Sequence, residues 1–221
     1  MIINYKYLII IFLIIIFFIE FYINFNHLIF FFIFKNKSAI PTLPYMINKV
    51  YLISRSISLI NPGKFNFIDI GCGNGDLLLN LCKTNTFRQC IGIEIDNKSY
   101  LEARKKCKNI KNLKIYNLDA LNYIFEKNPT IFYLYEPFFD IQYDKAITMY
   151  HKLFNNIKKI NQNNKIKNDI YIIYITGRLL FGRKDITKKM FNKYNFNIIK
   201  EEMIGSLFIK RRLYIAKFKI N

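Results

Sequence analysis

Hydrophobic side chains divide the chain into three parts. Residues 7–34 are almost continuously apolar, and only Glu20 carries a formal charge there. Residues 45–60 have apolar side chains at helical spacing, and Asn61-Pro62-Gly63 ends that pattern. From residue 65 onward, short apolar runs alternate with amphipathic ones, which is typical of an α/β domain.

The third part predicts a sheet with helices on both faces. Five strand-like runs are separated by helical or polar segments, and two more strands follow one another near the C-terminus. The first five favour a parallel sheet, and the last two favour an antiparallel hairpin at its edge. The predicted strands are 65–70, 90–95, 113–118, 131–135, 170–175, 195–201 and 212–219. One predicted helix follows the first strand and ends at Cys82, and three others cover 98–107, 144–160 and 184–192.

The apolar N-terminus is predicted to be an uncleaved transmembrane helix. A bilayer core needs about 20 apolar helical residues, and no small-residue cleavage site of a signal peptide occurs here. We therefore divide the chain into an anchor (1–36), a linker with a helix (37–60) and one domain (61–221). Because more basic residues follow the anchor than precede it, the domain is expected on the cytoplasmic side, or on the matrix side of an organelle.

Composition changes this interpretation little. The formal charge is +19, but 27 of the 34 basic residues are Lys, in a chain also rich in Ile, Asn and Phe. This composition is typical of an AT-rich genome, and base readout favours Arg, so nucleic acid is not the expected partner. Four Cys and two His form no zinc-ligand pattern, so no metal is expected, and reduced thiols are the default.

A glycine-rich turn follows the first strand, in the segment Asp69-Ile70-Gly71-Cys72-Gly73-Asn74-Gly75-Asp76. Glycines here permit positive φ and close approach of the backbone to a ligand. The two acids would repel a pyrophosphate, so the turn favours a ligand that carries a cationic group beside a ribose. S-adenosylmethionine is such a ligand.

Acidic residues also stand near the carboxyl ends of four successive strands, although the chain has only 15 of them. In open α/β sheets this edge is where ligands bind. Glu94 follows Gly75 by about the interval at which an acid binds ribose hydroxyls. The four acids are Asp69, Glu94, Asp119 and Glu136.

These segments resemble the class I S-adenosylmethionine-dependent methyltransferases. The matching motifs are DIGCGNG (69–75), IGIEID (91–96), NLDAL (117–121) and YLYEPF (133–138). The resemblance implies a Rossmann-like seven-stranded α/β sheet with an antiparallel last strand, preceded here by the transmembrane helix. It also implies a cofactor site in which Glu94 binds the ribose, Asp119 with Ala120 binds the adenine, and Asp69, Gly71, Gly73 and Gly75 surround the methionine part.

A finer resemblance concerns the methyl acceptor. The anchor, the AIPTLPY stretch (39–45) and the helix after it are similar to the mitochondrial ATP-synthase c-subunit lysine methyltransferase family, which implies a protein acceptor. Glu136 and Tyr135 are the candidate catalytic residues, and Pro137 and Phe138 are expected to contact the acceptor. A small-molecule or lipid methyltransferase and a catalytically idle cofactor-binding scaffold remain the alternatives.

Overall fold

The structure is a computed structural model that describes residues 14, 44–59, 63–138, 143–161, 168–176, 187–205 and 210–219. The predicted anchor, residues 1–36, lies outside this part of the chain except for Ile14. Among the described residues, no helix has both the length and the apolar character needed to cross a bilayer.

Five helices and seven strands make up the described domain. They follow the predicted alternation, and most boundaries agree within two residues. The helices are α1 (Pro44–Leu59), α2 (Asp76–Leu81), α3 (Asn97–Cys107), α4 (Tyr143–Lys158) and α5 (Thr187–Lys193). The strands are β1 (Asn66–Ile70), β2 (Gln89–Glu94), β3 (Leu113–Asn117), β4 (Thr130–Tyr135), β5 (Ile170–Thr176), β6 (Phe196–Gly205) and β7 (Lys210–Phe218).

All seven strands form one sheet in the order β3-β2-β1-β4-β5-β7-β6. Strands β1 to β5 are parallel, whereas β7 is antiparallel to both β5 and β6. The predicted antiparallel last strand is therefore confirmed. The strand order reverses between β1 and β4, and such a switch point opens a crevice at the carboxyl ends of the strands.

Two apolar layers cover the two faces of the sheet. One layer packs α1 and α2 against the face that carries Phe67, Tyr133 and Ile173. The other packs α4 and α5 against the face that carries Ile68, Phe132 and Ile172. The central strands β1 and β4 are buried on both sides, which explains their nearly continuous apolar sequences. A polar residue inside them, such as Asp69, is therefore conspicuous.

The expectation of reduced thiols is wrong for one pair of cysteines. Cys82, just after α2, and Cys90, in β2, form a disulfide with a Cα–Cα distance of 6.2 Å. The return of the chain from α2 to β2 brings the two residues together, which their sequence spacing alone does not indicate. Cys72 and Cys107 are free thiols, and both are buried.

Candidate functional site

The turn between β1 and α2 has the backbone conformation that its glycines predict. Gly71, Gly73 and Gly75 have φ values of 75°, 54° and 78°, in the left-handed region that other residues rarely adopt. The amides of Gly71 and Cys72 both donate to the Ile93 carbonyl of β2, at 2.8 and 3.1 Å. The turn is thus held at the carboxyl edge of the sheet, beside the switch point.

Two of these glycines also allow close packing. A Cβ on Gly75 would lie 3.0 Å from the Ala103 Cβ, so this glycine brings α3 against the turn. A Cβ on Gly71 would lie 3.4 Å from the Cβ of Pro137, just after β4. The end of β4 and the glycine turn therefore lie next to each other.

Glu94 is the acid that organises the turn. Its side chain is only 7% exposed. One carboxylate oxygen accepts from the Gly73 amide at 2.7 Å, and the other accepts from the Asp96 amide at 2.9 Å. Each oxygen retains further acceptor capacity, so the geometry suits a group that also binds two hydroxyls.

Asp69 is a buried carboxyl group with an unusual environment. It is 3% exposed, and no hydrogen bond to its side chain is found among the described residues. Burial, and secondarily the charge of Glu94, raise the pKa of Asp69 well above its ordinary value. A cationic ligand group beside this acid would reverse both effects. Asp69 therefore fits a positively charged group of S-adenosylmethionine.

Cys72, inside the turn, is a wall residue rather than a nucleophile. Burial, with Asp69 and Glu94 nearby, raises the pKa of its thiol well above the ordinary value. A neutral buried thiol is unreactive. This agrees with the small packing role that its position in the turn suggests.

Beyond β3, Asp119 begins the short 3₁₀-helix Ala120–Asn122. One of its carboxylate oxygens accepts from the Leu121 amide at 2.9 Å, and Ala120 is buried beneath it. The Asn117 side chain donates to the carbonyls of Glu94 and Ile95, which ties the ends of β2 and β3 together. Glu94 and the start of this 3₁₀-helix therefore lie at adjacent strand ends.

Ile95 is a site candidate that we did not predict from the sequence. It directly follows Glu94 and is 68% exposed, unusual for an isoleucine at the end of a buried strand. Leu118, which precedes Asp119, is also exposed. Exposed apolar side chains next in sequence to Glu94 and Asp119 would suit a flat ring such as adenine. The sequence does contain a signal for Ile95, because an apolar residue stands directly after the acid that ends β2.

The residues after β4 differ in their surroundings. Glu136 has φ +41° and is half-buried, and its carboxylate has no hydrogen-bond partner among the described residues. Pro137 is half-buried against Gly71. Phe138 is buried in the α4 layer, with its ring 4.9 Å from that of Tyr150. Of the predicted acceptor contacts, Pro137 lies beside the turn and Phe138 contributes a buried wall.

Tyr135, at the end of β4, already has a cation on its ring. The Arg211 guanidinium carbon lies 5.1 Å from the ring centroid of Tyr135. Tyr133 lies on the same face but is buried in the core. A cationic acceptor at the Tyr135 ring would thus meet a guanidinium group, which the sequence interpretation did not include.

The pairing of β2, β1 and β4 places the residues that follow these strands, or end them, side by side at the carboxyl edge of the sheet. Ile70 of β1 pairs with Ile93 of β2 and Leu134 of β4, so Glu94, Gly71 and Tyr135 follow at the same level. Neighbouring strands are about 4.8 Å apart, which puts Glu94 and Tyr135 about 10 Å from each other across Gly71. Gly71 lies between these two strand ends, and its missing side chain lets Pro137 approach the turn.

Comparison with known proteins agrees with this geometry. Residues 64–137 match a family model described as "Putative methyltransferase", and this segment includes the glycine turn, Glu94, Asp119 and Glu136. A search of curated proteins finds no match.

Solved structures of methyltransferases share the fold. Magnesium protoporphyrin IX methyltransferase from Synechocystis PCC 6803, with bound S-adenosylmethionine, is 14% identical with a TM-score of 0.58, over 82% of this chain and 87% of that one. The N-methyltransferase NodS from Bradyrhizobium japonicum WM9 is 12% identical with a TM-score of 0.60, over 78% and 96% of the two chains. PH1948 from Pyrococcus horikoshii, described as a "putative RNA methyltransferase", is 16% identical with a TM-score of 0.59, over 83% of this chain and 89% of that one.

These comparisons do not extend to the lysine methyltransferase family that the N-terminal segments resemble. The acceptors named for the similar structures differ in kind, so they do not indicate one acceptor for this chain. The seven-stranded sheet is nevertheless the methyltransferase fold, and the family match covers the residues of the site. Fold and family match together support a methyltransferase that uses S-adenosylmethionine.

Proposed function

We propose that this protein is a membrane-anchored methyltransferase that transfers the methyl group of S-adenosylmethionine to an amine, with a protein lysine as the first candidate. The observation that carries the proposal is Glu136. It is held in a left-handed backbone conformation beside the glycine turn, and its carboxylate has no partner among the described residues. Backbone strain of this kind is concentrated at functional sites.

In this proposal the chain positions the cofactor through its acids. Asp69 faces the ammonium group, Glu94 accepts from the ribose hydroxyls, and Asp119 accepts from the adenine amine. When bound, S-adenosylmethionine supplies a methyl group on a positively charged sulfur. The methionine part would pass along the turn that Gly71, Gly73 and Gly75 form with positive φ.

Glu136 acts on the acceptor. Its carboxylate accepts a hydrogen bond from the amine and orients the nitrogen lone pair toward the methyl carbon. If bound there, S-adenosylmethionine would supply the methyl carbon to this nitrogen, and its sulfur would leave with the electron pair of the carbon–sulfur bond. The proton that the nitrogen loses passes through Glu136 to water. Alignment and removal of this proton are the main requirements of such a displacement.

The test combines binding and turnover in the full chain. Titration calorimetry measures the affinity for S-adenosylmethionine, and transfer of a labelled methyl group to lysine peptides measures activity. We expect Glu136→Gln to lower the transfer rate about 100-fold, with cofactor affinity changed less than about threefold. Glu102→Gln, at an exposed position of α3, is the matched control and leaves both unchanged. Binding of S-adenosylmethionine without transfer to any acceptor would favour the catalytically idle scaffold. Transfer to lipids or small amines would favour a lipid or small-molecule methyltransferase.

Anchoring is proposed from the apolar sequence of residues 1–36. We expect the full chain to remain in membranes after a carbonate wash, with the methyltransferase domain on the cytoplasmic or matrix side. Two acids in the apolar run, Leu13→Asp with Ile16→Asp, should release the protein. Release of the unmodified chain by carbonate would contradict the anchor.

A further inference from the structure

Arg211, near the start of β7, is a cation with no acidic partner in the part of the chain that the structure describes. Its guanidinium group lies over the ring of Tyr135. The Nε atom is buried and has no hydrogen-bond partner, and among the described residues Arg211 forms no ion pair. A buried donor without an acceptor destabilises the free protein. Arg211 therefore differs from an arginine that only covers an aromatic ring at the surface.

Charged residues near Arg211, in sequence and on β6, already have partners. Arg212, the next residue, forms an ion pair with Glu201 at 3.3 Å and donates to the Tyr214 hydroxyl at 3.3 Å. The second acid of β6, Glu202, pairs with Lys49 of α1 and Lys200. Both acids of β6 thus have basic partners already.

Strand register places Arg211 at the edge where the cofactor site lies. Tyr135 pairs with Ile175, and Ile175 pairs with Leu213 of β7. Because β7 runs antiparallel, Arg211 lies two residues beyond Leu213 toward the carboxyl ends of the parallel strands and on the same face as Leu213. Arg211, Tyr135 and Glu136 therefore border the side of the site away from Glu94.

We propose that Arg211 binds an anionic group, a carboxylate or a phosphate, of the methyl acceptor. This inference rests on the proposed function, because it assigns Glu136 to the amine and Arg211 to a second group of the same molecule. A planar guanidinium group suits both oxyanions, since it offers parallel N–H donors. The preferred acceptor then carries a positive and a negative group, and an acceptor with an amine alone would be repelled by Arg211.

The test measures anion binding to the full chain saturated with S-adenosylhomocysteine. Inorganic phosphate and acetate are the probes, at constant ionic strength maintained with chloride. Affinity is read from the shift of the thermal unfolding midpoint and, for phosphate, from ³¹P line broadening. We expect saturable binding that Arg211→Gln weakens at least tenfold and Arg211→Lys weakens less. Arg55→Gln is the matched control, since Arg55 also lies over a tyrosine, Tyr51, but on the exposed side of α1.

Each outcome decides the proposal. Stronger binding of phosphate supports a phosphate-bearing acceptor, and stronger binding of acetate supports a carboxylate. Equal anion affinity in the wild type and Arg211→Gln overturns the proposal, and so does the absence of saturable binding in the wild type. If Arg211→Gln instead loses affinity for S-adenosylhomocysteine, the residue serves the cofactor and the proposal fails. Failure of the wild type to bind S-adenosylhomocysteine contradicts the proposed function itself.

Discussion

Two halves of the same crevice are built differently. At the ends of β1 and β2, the polar groups already have hydrogen-bond partners within the protein. Glu94 accepts hydrogen bonds from two backbone amides, and the turn amides donate to the Ile93 carbonyl. At the end of β4 and the start of β7, Glu136 and Arg211 have no hydrogen-bonding or ionic partner among the described residues. We call these the cofactor half and the acceptor half.

The difference indicates which half is preorganised. Fixed donors and acceptors suit a ligand whose structure never changes, because they need no rearrangement when it binds. Unpaired charges in the acceptor half have a cost in the free protein that a bound partner can offset. Substitutions should therefore affect cofactor affinity in the first half and turnover or acceptor choice in the second.

The largest effect is expected from Gly73→Arg in the cofactor half. Gly73 has positive φ and its amide donates to Glu94, so an arginine there would strain the turn and place a long side chain where the proposed cofactor passes. We expect binding of S-adenosylmethionine to fall below detection in calorimetry, with an unchanged circular dichroism spectrum. Gly63→Arg is the control, because Gly63 also has positive φ but has open space around its Cβ position. Equal affinity in the Gly73 and Gly63 variants would remove the turn from the site.

Glu94→Gln should be next in size. Glu94 now accepts hydrogen bonds from two backbone amides. The side-chain NH₂ group of Gln would face one of these N–H donors, so a charge-assisted hydrogen bond would be replaced by a repulsion. At about 1.5–3 kcal/mol for such bonds, we expect the dissociation constant for S-adenosylmethionine to rise about tenfold to 100-fold. The single-turnover rate of the saturated enzyme should change little. A loss of rate that exceeds the loss of affinity would contradict the assignment of Glu94 to cofactor binding alone.

Asp69→Asn tests the electrostatics of the cofactor half. Because the folded-state pKa of Asp69 is raised, the free protein loses stability as the pH rises from 3.8 through that pKa. A cationic ligand prefers the ionised acid, so binding of S-adenosylmethionine should strengthen with pH over the same range and release a proton. We expect Asp69→Asn to bind S-adenosylmethionine about tenfold more weakly, with an affinity that no longer rises with pH over this range. Calorimetry in two buffers of different ionisation enthalpy measures the proton. An unchanged pH dependence in Asp69→Asn would assign it to another group.

The cofactor half was more predictable from sequence than the acceptor half. Its glycines and acids lie within two consecutive strand–turn–helix units, where local spacing determines position. Arg211 meets Tyr135 only because β7 inserts between β5 and β6, and no local pattern predicts that order. Phe138 is buried beneath α4, and this burial depends on tertiary packing that its motif does not predict. The Cys82–Cys90 disulfide likewise depends on tertiary packing.

The smallest effect concerns stability in the acceptor half. Glu136 has φ +41°, and a left-handed conformation costs a residue with a side chain about 1–2 kcal/mol. Glycine removes that cost but adds about 0.4–1 kcal/mol of unfolded-state entropy. We therefore expect Glu136→Gly to stabilise the protein by about 0.5–1 kcal/mol, a rise of about 1–4 °C in the thermal midpoint, while methyl transfer is lost.

A matched substitution shows whether this gain is specific to Glu136. Asn85 also has positive φ, 51°, but asparagine tolerates this conformation, so Asn85→Gly should leave the midpoint nearly unchanged. Differential scanning calorimetry of both variants measures the comparison. A lower midpoint for Glu136→Gly would mean that the carboxylate supports the fold, and the strain would then have no link to turnover. A higher midpoint together with lost methyl transfer would show that Glu136 lowers the stability of the protein and is nevertheless needed for turnover. This is the behaviour expected of the acceptor half.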